Sequence, residues 1–293
     1  MKILIFGASG FIGKAIRKNL SVDHEVIAAV RSQTPIADEV TVDLLDKKAV
    51  TNVIAGVQPD VIINSSGIVD PTADTMQNVE FTRNILEAVL SSGAQVSRII
   101  ISGSAGEYGR IEEGELPVNE DTPLRADAGY GLAKKLEEQA ALEYREKGLD
   151  VVIARIFNPI GVNMAEKFFV SRIKKQIKEY LAGERTSLEI SRKDSSRDYI
   201  AVEDIAAAIR VLVEGNPIHS TYNIGSGVPM SNGELLQLML NSSKIGNDPV
   251  IVETAIEPEP LIANQADIMR LQQEFNWKPQ HNIADIVEEI MND

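Results

Sequence analysis

Ile3-Leu4-Ile5-Phe6 is an unbroken apolar run of strand length, and it leads straight into Gly7-Ala8-Ser9-Gly10-Phe11-Ile12-Gly13. An apolar run without alternation is the pattern of a parallel strand buried on both faces. Residues 14–20 then carry a helical pattern, so the order is strand, glycine turn, helix. Such a turn lets the backbone approach a pyrophosphate, and the helix start offers unpaired N–H groups and a positive dipole end. Gly7, Ser9, Gly10, Phe11, Ile12 and Gly13 are therefore candidate dinucleotide-binding residues. The spacing is G-x-x-G-x-x-G rather than G-x-G-x-x-G, and a purely structural turn is the bland alternative. Its position directly after the first strand favours the dinucleotide.

The 293 residues suffice for one large α/β domain, or for a large domain with a smaller annex. A hydrophobic content of 44% supports a substantial core. The net charge of -14 argues against nucleic acid or an anionic membrane as partner, although a local arginine can still bind phosphate. There is no cysteine, which excludes disulfides and thiolate zinc sites. The three histidines, His24, His219 and His281, are too scattered for a metal site or a Ser-His-Asp triad. No apolar run approaches the ~20 residues that cross a bilayer. A cytoplasmic protein without a metal is expected.

Residues 25–30 form the second strand, followed by Arg31 with no acid at the strand end; the next acid is Asp38. An arginine there suits a 2′-phosphate and an acid a 2′-hydroxyl, so NADP(H) is preferred, with NAD(H) as the alternative. A short strand at 40–42 precedes Asp43 and Leu44; Asp43 suits either the adenine amino group or a helix N-cap. A strand at 60–63 ends in Asn64-Ser65-Ser66-Gly67, where Ser65, Ser66 and Gly67 are small enough for a ribose to lie against the backbone. A helix is expected at 72–90, with Asn78 either functional or a simple surface amide.

The strand at 98–101 delivers Ser104 to the carboxyl end of the sheet, where ligands sit in open parallel sheets. The next helix, expected to run to residue 147 with Gly148 as its cap, carries Tyr130 and Lys134 one turn apart on one face. The ammonium is expected to lower the pKa of the phenol and ease proton exchange. Alone, Y-x-x-x-K is weak, since any helix can carry it.

After a strand at 150–154 the simple alternation weakens. Residues 168–181 read as a helix whose lysines form a solvated face without a ligand, and 253–260 as an acidic loop. Short strands at 188–190, 197–201 and 222–224 and helices at 203–214, 231–240, 267–275 and 283–291 complete the pattern. The expected architecture is α/β, a Rossmann-type doubly wound parallel sheet over residues 1–160 with return segments at about 198–224. Residues 161–293 are expected to form a smaller C-terminal α/β substrate lobe.

Taken in order, these motifs resemble an extended short-chain dehydrogenase/reductase of the sugar-nucleotide epimerase, dehydratase and ketoreductase group. The matches are the glycine motif at 7–13, Asp43-Leu44, N-S-S-G at 64–67, S-G-S-A-G-E-Y-G at 102–109 and Y-G-L-A-K at 130–134. R-I-F-N-P-I-G at 155–161, R-D-Y-I-A-V-E-D at 197–204, Y-N-I-G at 222–225 and the late W-K-P continue the series. The resemblance implies that Tyr130 exchanges a proton with the sugar oxygen, that Ser104 hydrogen-bonds that oxygen, and that Lys134 binds the nicotinamide ribose. It places Asn158 and Arg197 against a nucleotide-diphosphate sugar, and it implies a homodimer. Gly106 stands where dehydratases of the group carry an acid, which disfavours dehydration. Residues 258–267 lack the arginine that many relatives use on the diphosphate, and Gly129 replaces a frequent proline. The run F-V-S-x-x-x-K-Q-I at 169–177 is similar to reductases of GDP-4-keto-6-deoxymannose and related sugars. The leading expectation is an NADPH-dependent reductase of a nucleotide-activated 4-keto-6-deoxysugar. The alternatives are a nucleotide-sugar 4-epimerase and a non-catalytic NADP-binding sensor or scaffold.

Overall fold

The computed structural model describes residues 1–32, 38–70, 72–112, 114–243, 245, 249–254 and 263–293. The chain first lays down β1 (Lys2–Phe6), α1 (Phe11–Leu20), β2 (Glu25–Val30), β3 (Glu39–Thr41), α2 (Lys47–Val57), β4 (Val61–Asn64), α3 (Gln77–Ser92) and β5 (Arg98–Ser104). A single 3-10 turn, Ala105–Tyr108, leads towards α4 (Gly129–Glu146), β6 (Val151–Ile156) and β7 (Asn158–Ile160). Then come α5 (Phe169–Leu181), β8 (Ser187–Ser191), β9 (Ser196–Ala201), α6 (Val202–Glu214), β10 (Thr221–Ile224) and β11 (Pro229–Ser231). The last elements are α7 (Asn232–Ser242), β12 (Val250–Thr254), α8 (Met269–Phe275) and α9 (Ile283–Asn292).

Seven strands form one parallel sheet in the order β10-β6-β5-β4-β1-β2-β3. The pleat sends alternate residues of each strand to opposite faces. In β1, Ile3 and Ile5 join a core with Ile16, Leu20, Ile205 and Ile209 of α1 and α6. Leu4 and Phe6 join the opposite core, with Val50, Ile54, Ile85 and Leu86 of α2 and α3. Both faces are covered, which is why the strands read as continuous apolar runs. The fold is thus the doubly wound α/β architecture expected.

A third core gathers Ile173 and Ile177 of α5, Leu188 and Ile190 of β8, Leu235 of α7 and Val287 of α9. Strand β9 is the seam: Ile200 faces the α1–α6 core, while Tyr199 and Ala201 face the third. It pairs with β7 and β11 in a separate three-stranded sheet, and only β10 of the returning segment enters the large sheet.

Several boundaries differ from the sequence reading. The helix expected from residue 72 begins at Gln77, because the Asp70 and Asp74 carboxylates hold turns by accepting from the N–H groups of Thr72 and Met76. Asp43 is not a helix cap; it accepts from Leu45 N–H at 3.0 Å, and Asp46 caps α2 through Lys48 and Ala49. Of the loop expected at 253–260, Glu253 and Thr254 finish β12 beside β8, and the remainder lies outside the described residues. Among the described residues no helix is long and apolar enough to cross a membrane, and no acidic or histidine cluster suits a metal.

Candidate active site

Strand order reverses between β1 and its neighbours β2 and β4, and a crevice opens at such a switch point beyond the carboxyl ends of the strands. The loop after β1 fills it. Gly7 adopts φ +77°, and a Cβ there would stand 2.5 Å from the Ser66 nitrogen. A Cβ on Gly13 would stand 2.2 Å from the Gly7 carbonyl oxygen, so only glycine lets α1 start against the loop. Gly10 donates to Gly7 O at 2.9 Å. No side chain caps α1 and its first turn has no acid, which leaves the helix start open to an anion. Ser9 is exposed, while Phe11 and Ile12 are half-buried, and the Phe11 ring lies against Gly161.

A cavity of about 590 Å³ adjoins this loop, lined by Ser9, Lys14, Lys18, Arg31 and Glu39 among others. Glu39, which sequence reasoning passed over, is tied to Arg17 at 2.5 Å. Its position at the start of a three-residue strand next to β2 gave no sequence signal of proximity to Arg31. Asp43 is exposed; Leu44 packs on the α2–α3 core and its carbonyl accepts from Asn84 at 2.8 Å.

Beyond β4, the buried Asn64 organises the small-residue segment. Its Oδ1 accepts from the Ser66 amide at 3.0 Å and from the Ser66 hydroxyl at 2.5 Å. The Ser65 hydroxyl is buried without a hydrogen-bond partner, and Gly67 is exposed. Asn78 is no surface amide: it is 1% exposed and clamps the backbone of Ile68 from both sides, at 2.8 and 3.1 Å. The glycine cradle, the uncapped helix and the orphaned Ser65 hydroxyl together fit a dinucleotide.

Ser104, Tyr130 and Lys134 converge at the neighbouring strand ends. Ser104 closes β5 and starts the 3-10 turn, its hydroxyl accepting from Gly106 N–H at 3.1 Å. The hydroxyl is also near enough to the Tyr130 phenol to pull its pKa down a little. Helix α4 approaches this turn so closely that a Cβ on Gly131 would lie 2.5 Å from the Gly106 carbonyl oxygen. Lys134 is buried and donates to the Ser102 carbonyl at 2.6 Å and to Glu137 at 2.5 Å. Glu137, itself 1% exposed, accepts from Thr82 at 2.6 Å, and Thr82 accepts from Asn64 at 2.8 Å.

This network reverses one expectation. Burial pushes the Tyr130 phenol up from its ordinary value; Lys134 pulls it down, but Glu137 pushes it up again and outweighs the help of Ser104. The phenol keeps its proton. Burial works against the Lys134 ammonium, yet Glu137 and Tyr130 hold its pKa above the usual lysine value. Burial raises the Glu137 carboxyl in spite of Lys134 and Thr82.

A second buried set backs the 3-10 turn. Glu107 is fully buried and accepts from the Ser104 amide at 2.6 Å. Burial, and then the adjacent Glu138 carboxylate, push it well above the ordinary range. Burial would raise Glu138 too, but its bidentate pair with Arg155, at 2.6 and 2.9 Å, brings it below the ordinary value. Arg155 also donates to the Tyr108 hydroxyl at 3.0 Å. The motif S-G-S-A-G-E-Y-G therefore contributes an anchoring acid as well as Ser104.

Asn158 commits its amide donors to the Asp198 carbonyl at 2.9 Å and to Asn264 at 3.1 Å, which leaves only its oxygen for a ligand. Arg197 is half-buried on β9, and among the described residues its guanidinium makes no ion pair. On α5, Lys174 pairs with Asp293 and Lys175 with Glu166, and with Lys178 they line a cavity of about 560 Å³.

The sequence profile of the NAD dependent epimerase/dehydratase family matches residues 3–225. Over its full length the chain is 26% identical to the GDP-6-deoxy-D-mannose reductase of Pseudomonas aeruginosa, of which the alignment covers 96%. It is 29% identical to the GDP-6-deoxy-D-talose 4-dehydrogenase of Aggregatibacter actinomycetemcomitans, with 83% of this chain and 80% of that protein aligned. Among solved structures, RMD from Pseudomonas aeruginosa complexed with NADPH superposes with a TM-score of 0.87 at 25% identity, covering 99% of this chain and 97% of that one. The UDP-glucose 4-epimerase of Thermotoga maritima shares the fold, with a TM-score of 0.85 at 20% identity over 100% of this chain and 98% of that one. With a family profile spanning the glycine cradle, the Ser104 turn and the Tyr130–Lys134 helix, the chain belongs to the NAD dependent epimerase/dehydratase family and is an enzyme of the extended short-chain dehydrogenase/reductase type.

Proposed function

We propose that the protein is an NADPH-dependent reductase of a nucleotide-activated 4-keto-6-deoxysugar. The observation that carries this reading is the placement of the Tyr130 phenol and the Ser104 hydroxyl against the same 3-10 turn, next to a dinucleotide cradle with a basic annex. Bound NADPH would supply the hydride to C4 of the sugar. Gly7, Ser9, Gly10, Phe11, Ile12 and Gly13 would hold its pyrophosphate, and Arg31 with Lys14 and Lys18 the 2′-phosphate. Ser65, Ser66 and Gly67 would border the nicotinamide ribose, and Asp43 and Leu44 the adenine.

Tyr130 donates its proton to the C4 oxygen as that oxygen gains charge, and Ser104 donates a hydrogen bond to the same atom. The third N–H of Lys134 remains for the ribose, since two are spent on Ser102 and Glu137. The Arg197 guanidinium, without an ion pair among the described residues, suits a diphosphate oxygen, and the Asn158 oxygen a sugar hydroxyl. The 26% identity to a GDP-sugar reductase agrees with this chemistry. A 4-epimerase that retains NAD is the second reading, favoured by Glu39, whose carboxylate in the same cavity suits a ribose 2′-hydroxyl.

The test is incubation of the purified protein with NADPH and a panel of nucleotide 4-keto-6-deoxysugars, following nicotinamide absorbance. Steady loss of NADPH with one of them supports the reductase. Cofactor that co-purifies and is never consumed, while a nucleotide sugar is inverted at C4, supports the epimerase instead.

A further inference from the structure

Lys134 and Glu137 form an ion pair inside α4 with side chains 3% and 1% exposed. A buried pair of this kind gains little stability over apolar residues of the same volume, so its presence beside reacting groups asks for another role. Its surroundings fix both partners. Each carboxylate oxygen of Glu137 is engaged, Oε2 by Lys134 and Oε1 by the Thr82 hydroxyl. Thr82 is held by Asn64, and Asn64 by Ser66 in the segment expected to border the ribose. The ammonium is pinned in turn between Glu137 and the Ser102 carbonyl.

We propose that Glu137 is a positioning residue: its carboxylate pins the Lys134 ammonium and offsets that ammonium's attraction for the Tyr130 oxygen, so that the phenol stays a proton donor. A lysine without this counter-ion favours the phenolate, the form that accepts a proton from an alcohol. With it, the site suits carbonyl reduction, and only this statement of direction rests on the reductase reading.

The other groups around the phenol do not take over the role. From α4, Glu138 is spent on Arg155 of β6. From the turn after β5, Glu107 is fully buried with its pKa pushed well above the ordinary range, so it holds its proton and sets little charge against the phenol. Helix α3 presents the neutral Thr82, with Glu80 and Arg83 exposed, and β4 presents the neutral Asn64.

The experiment reads Tyr130 ionisation directly. Phenolate absorbance is titrated in the intact protein, and the curve of Tyr130→Phe is subtracted. The same difference is taken between Glu137→Gln and the double variant Glu137→Gln/Tyr130→Phe. Loss of the carboxylate moves Tyr130 ionisation about one pH unit lower. The alkaline limb of NADPH consumption moves with it for whichever keto sugar is reduced. Unchanged or higher ionisation overturns the proposal. If Glu137→Gln does not fold, Glu137→Met removes the carboxylate at similar volume; it must shift ionisation down in the same way, and no shift overturns the proposal. The titration needs no substrate, so a protein that reduces none of the panel sinks the reductase reading and leaves this one standing or falling on its own result.

Discussion

Glu107 holds the Ser104 amide from a position with no solvent exposure, with the Arg155 guanidinium 3.8 Å from its other oxygen. Its pKa is raised, first by burial and then by Glu138. The folded state therefore keeps a proton that the unfolded chain releases near the ordinary glutamate value. The stability it lends is complete below that value and is lost as pH rises towards the raised folded value. Glu107→Gln keeps the acceptor for Ser104 without a titrating proton. The variant should be more stable than the wild type at neutral and alkaline pH, on the order of 1 to 3 kcal/mol. Its melting temperature should fall less than that of the wild type between about pH 5 and pH 9, as read by calorimetry; parallel curves would reject the account. At this scale the sequence named the residues that the fold brings together but misjudged their electrostatics. Y-x-x-x-K displays the ammonium near the phenol, and only the packed α3–α4 pair shows that the acid at position 137 turns inward beside it.

The contact between α4 and the 3-10 turn sets the alignment of Ser104 with Tyr130. Gly131 is what makes it possible, because its missing Cβ lets the Gly106 carbonyl come close. Gly131→Ala should push α4 away by a fraction of an ångström, at a stability cost of about 1 to 3 kcal/mol. Turnover should fall about 10²-fold, since small displacements of positioned groups have effects of that size. Calorimetry and NADPH consumption, measured together, check the two; full turnover would show that the close approach serves packing alone. Long elements with strong patterns, such as β1, β6, α4 and α5, were legible because burial of one stripe or both faces dictates their composition. The three-residue strands β7 and β11 were not, because each contains a proline and too few residues to show a period. Helix α2 escaped for another reason: its cap, Asp46, lies three residues after the more conspicuous Asp43.

For the molecule as a whole, the basic annex beside the cradle gives a direct test of cofactor choice. A ligand at a hundred times its Kd stabilises the native state by about 2.7 kcal/mol. In a chain of this length that corresponds to about 4 °C in melting temperature. NADPH should produce such a shift. Arg31→Ser should lose most of it while retaining whatever shift NADH gives, as thermal denaturation with each nucleotide would show. Equal loss for both nucleotides would place the arginine outside the 2′-phosphate site.

Strand β10 reaches β6 only after the chain has travelled through β7, α5, β8, β9 and α6. Until residue 224 has been made, β6, apolar but for Arg155, remains an edge with one row of peptide groups unsatisfied. A nascent chain must therefore carry a sticky, unfinished border through the synthesis of more than sixty residues, and the cradle at the far end rests on a sheet whose last board is nailed on late.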